Sequence, residues 1–150
     1  MNKLFLSKTK YLDGLKCHKL LWYEYNRKED LPEIDPATQA IMDQGKVIGE
    51  LAHTLVPGGI LLQRDYMPDK QAEKSLEAAK LRKPLFEAGF VFKQAYALAD
   101  ILNPVAKDAW DLIEVKSSSS VKDEHYYDVA FQKYTYEGAG LKIRKCYLMY

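Results

Sequence analysis

Apolar and polar positions change rhythm along the chain, and the changes predict its elements. Ser7 can cap a helix over residues 9–26, with Tyr11, Leu12, Leu15, Leu20, Leu21 and Trp22 forming an imperfect apolar stripe. Residues 27–35 are polar, include Pro32 and read as a loop. Asp35-Pro36 is a cap followed by a first-turn proline, so a second helix should run to Leu55 and stop at Pro57-Gly58-Gly59. Ile41, Ile48, Leu51, Ala52 and Leu55 mark its buried side, and His53 lies in its last turn. Residues 60–62 suit a short strand, and Asp69 a cap for a helix over 70–83 that ends before Pro84.

The rhythm then shortens to that of strands. Residues 85–92, 96–102 and 110–117 are three strand candidates, joined by a tight connection at 93–95 and a polar loop at 103–108. Ser117 to Ser120 leads into a helix over 121–137, stopped by Gly138 and Gly140, and residues 142–150 form a last strand. Three consecutive strands can form a meander, and a strand that follows a crossover helix can pair parallel to one of them. The expectation is an α/β sandwich: a mixed sheet with an αβββαβ core and extra N-terminal helices. A chain that stops inside a strand is expected to be one domain, 1–150, truncated at its C-terminus.

Two of the strand candidates carry charge where hydrocarbon is expected. Asp100 interrupts Ala97-Leu98-Ala99-Asp100-Ile101-Leu102, while Glu114 and Lys116 sit in Leu112-Ile113-Glu114-Val115-Lys116. Strand side chains alternate between faces, so Glu114 and Lys116 share one, and a hairpin closing around 103–108 places Asp100 opposite or nearly opposite Glu114. Two adjacent carboxylates resist joint ionisation. Either a hard divalent cation, Mg²⁺ or Mn²⁺, relieves them, or Lys116 neutralises one in a cross-strand salt bridge on a solvated face. Glu87, in the apolar run Leu85-Phe86-Glu87-Ala88, is a further candidate acid for the same site.

Composition changes this picture little. The chain is 47% hydrophobic and 29% charged with a net charge of +1, an ordinary globular balance with no bulk basic signal for nucleic acid. Local clusters exist: Lys3, Lys8, Lys10, Lys16 and Lys19 near the start, and Lys142, Arg144 and Lys145 near the end. Two cysteines, Cys17 and Cys146, are too few for a disulfide framework or a self-contained zinc site and fit a reduced, cytoplasmic setting. No apolar run approaches the roughly eighteen residues of a membrane span, and the apolar stretch after Met1 is too short for a secretion signal.

The element order and four motifs together resemble the PD-(D/E)XK nuclease superfamily, and within it the RecB-like branch that includes CRISPR-associated exonucleases. Gly49-Glu50-Leu51-Ala52-His53 is similar to that branch's helical histidine motif. Ala99-Asp100-Ile101-Leu102 is similar to its metal-binding aspartate, Glu114-Val115-Lys116 to its (D/E)-x-K, and Gln132-Lys133-Tyr134-Thr135-Tyr136 to its Q-x-x-x-Y. The stretch from Asp111 to Gly140 looks most like an uncharacterised bacterial subfamily of the branch. The resemblance implies a three-layer restriction-endonuclease-like fold and a metal-dependent nuclease acting on DNA, on single strands or ends, in repair or defence. It implies catalytic Asp100, Glu114 and Lys116, with Mg²⁺ or Mn²⁺ held by His53, Asp100, Glu114 and the carbonyl of Val115. Gln132 and Tyr136 are then expected to hold Lys116 or to contact the nucleic-acid backbone. The chain departs from the pattern in two places. No proline precedes Asp100, and of the four cysteines that bind an iron–sulfur cluster in many relatives only Cys17 has a counterpart. These 150 residues are therefore expected to hold no cluster, and Cys17 reads either as a ligand in a longer protein or as a buried thiol. Two rival readings are a catalytically incomplete nuclease-fold module, binding nucleic acid or serving structurally, and a phosphoesterase acting on nucleotides.

Overall fold

A computed structural model describes residues 4–150; Lys3 of the N-terminal basic cluster lies outside them. Its strands are β1 (Leu6–Ser7), β2 (Ile60–Leu61), β3 (Leu85–Phe92), β4 (Ala95–Val105), β5 (Ala109–Val115) and β6 (Lys142–Met149). Its α-helices are α1 (Lys8–Lys16), α2 (His18–Asn26), α3 (Pro36–Thr54), α4 (Pro68–Ala79) and α5 (Asp123–Gly138). The protein is α/β, with one mixed sheet in the order β2-β3-β4-β5-β6. The meander β3-β4-β5 is antiparallel, and β6 returns through α5 to lie parallel to β5, the geometry a helical crossover imposes. β1 pairs parallel to the start of β4, Leu6 with Ala95 and Ser7 with Tyr96.

Alternation along the strands sends apolar side chains to both faces. Leu85, Leu102 and Leu112 join Phe131 and Tyr136 of α5, with Ala78 and Ala79 of α4 and Tyr11 of α1 packed alongside. Their sequence neighbours Phe86, Ile101 and Ile113 meet Ala52 of α3 and Val56. Helices thus cover both faces, with α3 alone on the second.

The alternation slips at one row. Leu85 and Ala88, three apart, belong to the same cluster, and so do Ala99 and Leu102. A regular strand would separate them. The slip falls at Glu87 and Asp100, the row between Phe86↔Ile101 and Ala88↔Ala99 that leaves the regular ladder, and Glu87 absorbs it with φ of 57°. That left-handed conformation is disfavoured for a residue with a side chain.

Several expected boundaries are corrected. The single helix over 9–26 is two, broken at Cys17, whose extended backbone (φ −156°, ψ 108°) cannot continue a helix. Cys17 is exposed at that break, not a buried thiol. A 3-10 turn, Lys28–Asp30, interrupts the polar loop. The fourth helix starts at Pro68 with Met67 as its cap, so Asp69 lies in the first turn, and it ends at Ala79, short of Lys83. The hairpin strands run through the expected loop, pairing Asn103 with Asp111, Pro104 with Trp110 and Val105 with Ala109. β1 has no counterpart among the predicted elements.

Candidate active site

The sheet register aligns the three candidate acids. Phe86↔Ile101 and Ile101↔Ile113 are paired, so the next row holds Glu87, Asp100 and Glu114 side by side on β3, β4 and β5. With Lys116, His53 and Arg64 they line a cleft of about 710 Å³ between α3 and the sheet. The cleft exists because α3 touches the sheet only near its C-terminal end: Ala52 is its one fully buried residue, and His53 stacks on Phe86 with ring centroids 4.2 Å apart.

Glu114 is the most heavily engaged of the acids and only 2% exposed. Its Oε1 accepts from the ammonium groups of Lys8 and Lys116, each at 2.7 Å. Its Oε2 accepts from Gln132 Nε2 at 2.6 Å. Asp128, four residues before Gln132 on α5, completes the group by accepting from Lys116 and, at 2.9 Å, from Gln132. Lys8 also lies 3.3 Å from Asp128. Lys8 and Lys116 together balance Glu114 and Asp128. Asp100 and Glu87 are left with no ion pair among the described residues.

Protonation follows from that imbalance. Burial, then the neighbouring Glu114, pushes Asp100 up to about 7, against the pull of Lys8 and the Val115 N–H, which donates to Asp100 Oδ2 at 2.6 Å. Burial likewise raises Glu87, although His53 and Arg64 oppose it. Burial works against the charge of Lys8, yet Glu114, Asp128 and Asp100 outweigh it and hold the ammonium above the ordinary lysine value. Lys116 is raised too, burial and Lys8 opposing its charge while Glu114 and Asp128 favour it. Burial would raise Asp128, but the two lysines and Gln132 bring it below the ordinary aspartate value.

The donor set fits a hard cation in part. His53 Nε2 is buried with no hydrogen-bond partner. A buried polar atom left unpaired is costly, and His53 lines the same cleft as Glu87 and Asp100. Imidazole and carboxylate together suit Mn²⁺ or Mg²⁺. Among the described residues, however, no three His, Cys, Asp or Glu side chains converge tightly enough to hold an ion as they stand. Glu114 is instead engaged by two ammonium groups and an amide.

The structure brings His53, Glu87, Asp100, Glu114, Val115 and Lys116 to one cleft. Gln132 joins them from behind, holding Glu114; Asp128 and Glu114 together hold Lys116. Tyr136 is fully buried and its hydroxyl donates to the carbonyls of Ala88 and Ala97, at 3.0 and 3.4 Å. It ties α5 to the sheet and cannot reach a nucleic-acid backbone. Cys17 is not among the cleft residues. Asp128 had a readable signal, a carboxylate at helical spacing with Gln132 and Tyr136. Lys8 had none. Comparison of the chain with protein-family models, curated proteins and solved structures finds no match in any of the three.

Proposed function

We propose that this protein is a divalent-metal-dependent nuclease that hydrolyses DNA phosphodiester bonds, on single strands or ends, in DNA repair or defence, on a restriction-endonuclease-like fold. The observation that carries the reading is the row Glu87–Asp100–Glu114 with the Lys116 ammonium beside it and an unpartnered His53 Nε2 in the same open cleft. Asp100, Glu114, His53 and the Val115 carbonyl are the groups that would hold Mg²⁺ or Mn²⁺. When bound, the ion supplies Lewis acidity to a phosphate oxygen and to an attacking water. Lys116 orients that water and offsets the charge that grows on the phosphate. Asp128 and Glu114 fix the Lys116 ammonium in place, and Gln132 fixes Glu114. Arg64, on the cleft wall, offers a cation to the substrate backbone. The exposed free thiol of Cys17 suits a reducing, cytoplasmic setting.

The test is cleavage of end-labelled single- and double-stranded DNA with Mn²⁺, Mg²⁺ or EDTA. Cutting should need the metal and fall by about 10²–10³ in Lys116→Ala, the usual loss when a charge-stabilising donor is removed. Asp100→Ala should abolish it. Undiminished cutting by both variants would place the chemistry elsewhere. The saturation of Glu114 by Lys8, Lys116 and Gln132 favours a second reading, a catalytically incomplete nuclease-fold module. DNA binding without cutting in any metal would select it.

A further inference from the structure

Lys8 is placed where physics opposes a cation. It is the first residue of α1, where the helix dipole disfavours positive charge. Its side chain is 21% exposed, so the ammonium has also lost most of its water. It stays because Glu114 and Asp128 flank it at 2.7 and 3.3 Å. Nothing local brings it there. Pairing of β1 with the start of β4 delivers it, reinforced by the stacking of Tyr11 on Phe131 at 4.7 Å. A lysine held this way occupies Glu114 Oε1, which Lys116 already shares, and lowers the affinity of that carboxylate for any other cation.

We propose that Lys8 is a positioning residue acting through Glu114: a built-in counter-cation that a divalent metal displaces. The inference rests on the metal-dependent reading above. In the metal-free protein Lys8 keeps Glu114 and Asp128 from repelling each other. A dication held by Glu114 would leave the Lys8 ammonium with Asp128 alone, 3.3 Å away, and so weaken the hold of the first turn of α1 on the site. Lys8 thereby sets the metal concentration at which the site loads and couples loading to the N-terminal segment.

Calorimetric titration of the full chain with Mn²⁺ tests this without measuring activity. Lys8→Met keeps the apolar stem and removes the charge, and should bind Mn²⁺ about tenfold to a hundredfold more tightly, the range over which neighbours of a ligand alter metal affinity. Lys8→Arg should keep the weaker, wild-type affinity. Hydrogen exchange over residues 6–12 of the wild-type chain should quicken on adding Mn²⁺. Equal or weaker binding by Lys8→Met, or protection of residues 6–12 by metal, overturns the proposal while leaving the nuclease reading intact. Absence of Mn²⁺ binding in both wild type and Lys8→Met removes both.

Discussion

Asp100 keeps a proton in the folded chain up to about pH 7, against an ordinary aspartate value of 3.8. A group whose folded value lies above its unfolded one stabilises the fold at low pH and loses that contribution as pH rises through the folded value. Metal-free protein should therefore be less stable at pH 8 than at pH 5.5, with Glu87 adding in the same direction. Each tenfold change in proton affinity corresponds to about 1.4 kcal/mol. Thermal unfolding in EDTA across that range checks it, and Asp100→Asn should flatten the profile; an equally steep profile in the variant would assign the effect elsewhere. Asp128 has the opposite sign, and its contribution disappears only when pH falls below the ordinary aspartate range. At this scale the site was partly legible. Asp100, Glu114 and Lys116 stood out because charge inside an apolar strand costs free energy unless it is used. Lys8 did not stand out, because a lysine among lysines at a polar N-terminus carries no sign of its partner.

The elements that shape the site are a slipped pair of strands and one helix. Glu87 sits at φ 57°, a conformation that costs a side-chain-bearing residue about 1–2 kcal/mol. Glycine should thus be tolerated better than alanine there, the reverse of the usual order in a strand. Glu87→Gly should exceed Glu87→Ala in stability by about 1 kcal/mol in urea unfolding, and the usual order would mean that the strand relaxes. Tyr136→Phe removes a hydroxyl that joins α5 to two carbonyls of the sheet. It should cost about 1–2 kcal/mol and leave Mn²⁺ affinity unchanged, since the tyrosine holds the scaffold and not the ion. Most element types were legible from periodicity. The break at Cys17 was not, because residues 9–26 hold neither proline nor, at the break itself, glycine. The buried side of α5 also eluded the pattern: it presents His125, Asp128, Gln132 and Thr135, polar groups that a hydrophobic stripe cannot reveal.

Across the whole molecule the order of helices, meander, crossover helix and final strand could be read from the sequence, because each element announces itself within its own span. β1 could not. Two residues have no period, and their meaning depends on a strand far along the chain. Among the described residues no helix is long and apolar enough to cross a membrane. The contact that completes the site joins residues 106 apart, Lys8 and Glu114. Closing so long a loop is entropically unfavourable, and contacts of this kind form late on the path from the unfolded chain. Leu112→Ala, inside the meander, should slow folding, whereas Lys8→Met should speed unfolding and change the folding rate by less than about twofold. Stopped-flow kinetics in urea separate the two, and a slowed folding limb for Lys8→Met would show early docking of the N-terminus. An unchanged folding limb would mean that the sheet assembles before the N-terminal segment brings Lys8 to Glu114 and Asp128. A copy folded that far would hold Glu114 and Asp128 against Lys116 alone, two carboxylates to one ammonium.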